Sequence, residues 1–227
     1  MQQREQDLDF LINRSFRESV FVKTLRPAAQ PDQRALSKLL VASSLQRLAD
    51  RANNPGAAVF RSPGGTEISV EPGAAQITLD GLTTHYPEPR SLEEIVGSIQ
   101  QAKQAALEPN EIVGLINTLF AAFSRGLISL HSARPPIHAH AGLRPQASAL
   151  ARNQSVAGTR VTTMLLDNIE LDDSDCRAIL RLLDGRHDLP ALVRALPPEP
   201  AVDPLARVTV ALAKLARAGL IVDLPVE

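Results

Sequence analysis

Apolar positions recur at helical spacing from the start of the chain. Leu8, Leu11 and Ile12 fall at i, i+3 and i+4, with acidic Glu5, Asp7 and Asp9 before basic Arg14 and Arg17, the charge order a helix dipole favours. The pattern predicts a helix over residues 1–26, ended by Pro27 and Pro31. A second helix is predicted from about Asp32, an N-cap residue, carrying Leu36, Leu39, Leu40 and Leu45. From Asn53 to Gly81 the pattern changes. Turn signals at Asn54-Pro55-Gly56, Pro63-Gly64-Gly65, Pro72-Gly73 and Asp80-Gly81 separate the short runs Val59–Arg61, Ile68–Val70 and Gln76–Leu79, which predict small antiparallel strands.

Two helices are predicted next, from Ser91 to about Gln104 and from Pro109 to Arg125, the first opened by a Ser91/Glu94 capping box. Gly126 ends the second, and Leu127–His131 reads as a strand. Residues 132–157 are rich in Ala, Pro and Gly without a sustained period and read as a linker. Beyond them Val161–Leu166 is β-like, helices start at Asp172, Asp188 and Asp203, and Leu220–Asp223 forms a closing strand. The ending repeats an earlier stretch: Asn110 and Asp203 each stand sixteen positions before a helix-ending glycine, Gly126 and Gly219, and each glycine is followed by Leu-Ile. A helix pair that ends in glycine and runs into a strand is the winged-helix pattern, and its recurrence indicates a duplication.

The expected fold is therefore α+β and helix-rich: an N-terminal helical segment (1–54), a winged-helix-like module (55–131), the linker (132–157) and a second winged-helix-like module (158–227). Two unrelated α+β units with a shared capping pattern are the plainer alternative.

Composition narrows the function classes. The 227 residues hold six Phe, one Tyr and no Trp, with 24 Lys+Arg against 25 Asp+Glu. They supply neither stacking platforms nor an overall positive field for single-stranded nucleic acid or RNA. A single Cys176 excludes an internal disulfide and a thiolate-rich metal site, and fits a reducing compartment. No long apolar window reads as a membrane span, and the charged N-terminus does not read as a signal peptide. The expected location is cytoplasmic, with no membrane partner.

Candidate chemistry is sparse. His138 and His140 place two imidazoles on one side of an extended segment, but no Cys, Asp or Glu from Arg134 to Arg152 completes a metal site. The expectation there is surface histidines, as for His85, His131 and His187. Glycine-rich cofactor loops, a Walker A loop, a Gly-x-Ser-x-Gly elbow and a His-Glu-x-x-His pair are all lacking. Cys176 stands near Asp173 and Asp175, whose charge disfavours a thiolate. For DNA, Arg207, Lys214 and Arg217 form one basic stripe on the last helix, whereas the helix before Gly126 offers only Asn117 and Arg125. Nucleic acid is thus an unlikely partner, and neither a catalytic nor a cofactor-binding site is expected.

Asp9-Phe-Leu-Ile-Asn-Arg-Ser-Phe-Arg-Glu-Ser-Val-Phe21 resembles the opening signature of the regulatory domain of bacterial S-adenosylmethionine-dependent methyltransferases, with Asn13-Arg14 and Phe16-Arg17 its most specific part. Arg144–Gln154, Val161-Thr-Thr163, Leu171-Asp-Asp173 and Leu182–Asp188 are similar to the closing winged-helix-like part of those proteins, lysine methyltransferases among them. The resemblance implies a non-catalytic regulatory or substrate-positioning region. A Rossmann-like catalytic domain precedes this region in the family, and its cofactor-binding residues have no counterpart here. Its implied partners are such a catalytic domain, in cis or in trans, and a protein substrate. Phe10, Asn13, Arg14, Phe16, Arg17 and Phe21 are the candidate docking residues, since Phe and Arg together mark interface centres. The alternatives are a tandem winged-helix DNA-binding protein using Arg207, Lys214 and Arg217, and a peptide-recognition module that pairs a partner strand with a winged-helix edge.

Overall fold

The computed structural model describes residues 33–48, 56–198 and 203–222, which lie in one compact unit. The expected N-terminal helix, with Phe10, Asn13, Arg14, Phe16, Arg17 and Phe21, falls outside the described residues. The fold is α+β and helix-rich, built around two hydrophobic cores.

In the first half a 3-10 turn, Gln33–Lys38, leads into β1 (Leu40–Ala42) and β2 (Gln46–Leu48). Then follow β3 (Ala58–Arg61), β4 (Glu67–Val70), α1 (Ala74–His85), α2 (Leu92–Lys103), α3 (Pro109–Ser124) and β5 (Ser129–His131). Strands β2, β3 and β4 form an antiparallel sheet in which Phe60 faces Arg47 on one side and Ile68 on the other. Strand β1 is bonded on both edges. It pairs antiparallel with β5, Val41 opposite Leu130, and Val41 exchanges two 2.8 Å backbone hydrogen bonds with Arg90 just before α2. Phe60, Leu82, Ile95, Ile99 and Leu119 are almost wholly buried beneath these elements, each contributing about 1.5–3 kcal/mol of burial energy.

The second half contains α4 (Ala149–Ala157), β6 (Arg160–Thr162), β7 (Asn168–Glu170), α5 (Ser174–Leu182), α6 (Leu189–Ala195) and α7 (Pro204–Arg217). Gln146 takes the position that Val41 holds in the first half, bridging Asp184 before α6 and Val222 after α7. Ile179, Leu180, Leu183, Leu192, Leu215 and Leu220 fill the second core.

Local features recur between the halves in atomic detail. Gly126 (φ 69°) and Gly219 (φ 71°) end α3 and α7 in the left-handed conformation. The amide after each reaches back five residues at 3.0 Å, Leu127 to Ala122 and Leu220 to Leu215, so both ends are Schellman motifs. The turns of the two β-hairpins also match. The Ser62 hydroxyl accepts the Thr66 amide and Gly65 donates to the Ser62 carbonyl. Likewise the Thr163 hydroxyl accepts the Asp167 amide and Leu166 donates to the Thr163 carbonyl.

Several expectations are corrected. The helix expected from about Asp32 is a short 3-10 turn followed by β1 and β2, because pairing with β5 and Arg90 outweighs an apolar spacing that also fits a helix. Gln76–Leu79 belongs to α1, not to a strand: Thr78 donates to the Ala74 carbonyl at 2.7 Å, and Leu79 and Leu82 bury one helical face. The segment read as a linker holds α4, capped by the Ser148 hydroxyl on the Ala151 amide. Val161–Leu166 is split, β6 ending at Thr162 where the hairpin turn begins. Of the closing strand expected over Leu220–Asp223, Leu220 and Ile221 lie outside any strand, Val222 forms isolated bridges with Ile137 and Gln146, and Asp223 falls outside the described residues. Asp173, not Asp172, caps α5.

The matched turns differ in one telling place, since Leu166 holds φ 64° where Gly65 holds φ 86°. A left-handed non-glycine residue costs about 1–2 kcal/mol, and the Leu166 side chain is 84% exposed, so it contributes little packing. Leu166→Gly is expected to raise stability by up to about 1 kcal/mol, and Gly65→Leu to lower it by about 1–2 kcal/mol. Urea unfolding checks both; a lower midpoint for Leu166→Gly would show that the leucine stabilises the turn.

Candidate functional site

The two halves meet at α7, and one side chain makes most of the polar contact. Arg217 donates to the carbonyls of Leu45 (3.0 Å), Ser44 (3.5 Å) and Thr83 (3.5 Å) in the first half. Its guanidinium carbon lies 5.4 Å from the centroid of the Tyr86 ring, a cation–π distance. Beside it the Glu88 carboxylate accepts the Ala139 amide at 2.7 Å and faces His138 Nδ1 at 3.4 Å. The His138 amide in turn donates to the Ile221 carbonyl at 3.0 Å. The segment around residue 138 is thus bonded to both halves.

A cleft of about 1070 Å3 opens along this junction, lined by Tyr86, Ala139–Pro145, the start of α6 and the outer face of α7. Its walls are chiefly apolar, with Tyr86, Leu189, Pro190, Leu212 and Ala213 among them, and Leu143, also in the lining, is 92% exposed. Of the charged residues lining it, Asp188 caps α6 by accepting the Ala191 amide at 2.9 Å and Arg217 is held as described. Burial raises the Tyr86 phenol above its ordinary value, as does the Asp167 charge, while Arg217 lowers it in part.

The basic stripe expected on the last helix is present, but its charges are engaged within the fold. Arg207, with a side chain only 10% exposed, grips Asp175 through two hydrogen bonds of 2.6 and 2.8 Å and also donates to the Pro197 carbonyl. Lys214 donates to Asp173 at 2.6 Å, which holds the Asp173 carboxyl low and the Lys214 ammonium high. With Arg217 turned onto the first half, a duplex meets no stripe of free cations on this helix. Arg125 is the C-cap of α3.

Cys176 is 1% exposed. Burial, reinforced by Asp173, pushes its thiol up to about 12, far from a thiolate nucleophile. No group of three or more His, Cys, Asp or Glu gathers as a metal site among the described residues. No helix among them is long and apolar enough to cross a membrane. The cleft escaped the sequence reading because Tyr86, the stretch 139–145 and α7 are far apart in the chain.

Residues 144–201 match the family described as "PKMT, C-terminal winged helix domain". Over that span the sequence is similar to this family. That span begins at Arg144 and takes in the later segments that resembled the methyltransferase regulatory region. Two solved structures of PKMT2 from Rickettsia typhi share the fold. One, PKMT2 as such, superposes with a TM-score of 0.80 at 19% identity; the other, PKMT2 in complex with AdoHcy, with a TM-score of 0.72 at 16% identity. Each match covers 96% of this chain and 49% of the PKMT2 chain, so the sequence spans about half the length of those proteins. No curated protein matches the sequence.

Tyr86 is the only tyrosine and the chain has no tryptophan, so an absorbance titration at alkaline pH reads this phenol alone. It is expected to ionise above its ordinary value of 10.0, and Asp167→Asn is expected to bring the transition down. Because the folded value is raised, its contribution to stability is complete below pH about 10 and is lost as pH rises through the folded value. Ionisation at or below the ordinary value would contradict this environment.

Proposed function

We propose that the chain is a non-catalytic regulatory or substrate-positioning region of a bacterial S-adenosylmethionine-dependent protein methyltransferase. The observation that carries this reading is the conjunction at one place of a sequence match and a fold match: residues 144–201 fit the PKMT C-terminal winged helix family, and nearly the whole chain superposes on half of PKMT2. Its partner is the catalytic domain, joined in cis or supplied in trans, and a protein substrate is the second partner. Residues 55–131 and 158–227 serve as two winged-helix-like modules, a division that the matched Schellman motifs and hairpin turns support. Phe10, Asn13, Arg14, Phe16, Arg17 and Phe21 form the segment that docks on the catalytic domain.

The residues of the cleft do not suit the cofactor. Its lining carboxylate, Asp188, already caps α6, and its lining glycine, Gly142, stands alone rather than in a glycine-rich turn after a strand. Nothing in the cleft pairs a nucleophile with a base. A tandem winged-helix DNA-binding role is less well supported, because Arg207, Lys214 and Arg217 hold intramolecular partners.

Titration calorimetry of the chain with S-adenosylmethionine is expected to show no saturable heat up to millimolar cofactor. Binding in the micromolar range, about −8 kcal/mol, would mean that a cofactor site is present and the accessory reading is wrong.

A further inference from the structure

Among the described residues no apolar side chain belongs to both hydrophobic cores: the first draws on residues from Leu36 to Leu130, the second on residues from Ala141 to Ile221. Each closely packed pair of elements likewise lies within one half. The ties across the junction are of another kind. Arg217, in the last turn of α7, reaches the carbonyls of Ser44, Leu45 and Thr83 and the face of Tyr86, and Glu88 accepts the Ala139 amide at 2.7 Å. Splitting a shared core exposes all of its apolar surface at once, whereas a few hydrogen bonds exchange for bonds to water with little net loss. Two of the three Arg217 bonds are 3.5 Å long, beyond the usual range for a strong contact.

The chain that joins the halves is tied to each of them in turn. Arg134 donates to the Glu94 carboxylate of α2 at 3.0 and 3.2 Å, which holds the connection to the first half up to that point. Pro135 and Pro136 follow. Ile137 then bridges Val222, and the His138 amide donates to the Ile221 carbonyl, so from there the chain travels with the second half. The pivot is confined to residues 134–137, where the two proline rings make a short, stiff link that keeps the halves adjacent when the ties across the junction release. Thr84 and Tyr86 are the cleft-lining residues that the first half supplies. A swing about this link parts them from Leu212 and Ala213 and widens the cleft.

We propose that the two halves are separate rigid bodies that exchange between a closed and an open arrangement about residues 134–137, with Arg217 as the latch of the closed state and Glu88 as its second tie. The proposal goes beyond the accessory reading: it concerns the two halves of this chain alone and does not depend on a catalytic partner. Arginine suits the role, because its planar fork of donors serves several carbonyls at once while its charge rests on an aromatic face. Lysine, a compact point charge with three donors, reproduces that geometry only in part.

The test is spin-label distance measurement on the 227-residue chain, with labels on introduced cysteines. Gln101→Cys on α2 and Asn153→Cys on α4 are exposed positions in different halves, and the native Cys176 is buried and does not compete for label. The parent should show one dominant distance between the halves. Arg217→Ala should raise the population at other distances by about tenfold, Glu88→Ala should act in the same direction, and Arg217→Lys should fall between Arg217→Ala and the parent. Label pairs within one half, Gln101→Cys with Ser124→Cys and Asn153→Cys with Arg194→Cys, should keep the parent distances in every variant. An unchanged distribution between the halves in Arg217→Ala would overturn the proposal, since the halves would then be one rigid body without the latch. So would distances within a half that broaden in either alanine variant, because release would then unfold the halves rather than part them.

Discussion

Each half of the molecule depends on a very short central strand that is bonded on both edges. In the first half Val41 is held by Arg90 on one side and by β5 on the other; in the second Gln146 joins Asp184 to Val222. These pairings link the start of each unit to the residue that opens its helix pair and to the chain that leaves it. The exit is possible because Gly126 and Gly219 turn the backbone through a left-handed conformation, which lets the next residues run back alongside the central strand. The helices supply most of the buried area, while the central strand decides which faces of them meet.

Between the halves the contacts are few and polar. Arg217 spends its guanidinium on three carbonyls and an aromatic face, and Glu88 secures the chain as it crosses from one core to the other. Tyr86 and Arg217 of this junction also line the cleft. The cations that would face DNA in a winged helix are paired with Asp173 and Asp175 or turned onto the first half.

What was legible in the sequence was local. Ser91, Asp188 and Asp203 announced their helices through capping chemistry that needs only the next three residues, and each does cap as expected. The two helix-ending glycines were legible for the same reason. Strands of three residues, or a single bridge at Gln146, carry no period, so β1 passed for helix and the stretch around Gln146 for linker. Gln76–Leu79 alternates over too few positions to separate strand from helix, and burial of Leu79 with Leu82 decided it. The role of Arg217 could not be read at all, because its best hydrogen bond reaches a carbonyl 172 residues away.

The most direct measurement is transfer of labelled methyl groups from S-adenosylmethionine to protein, assayed with a PKMT-type catalytic domain alone, with this chain alone and with both together. A non-catalytic positioning region requires that label appear only where the catalytic domain is present, and that adding the chain increase it. Label transferred by this chain alone would contradict that role.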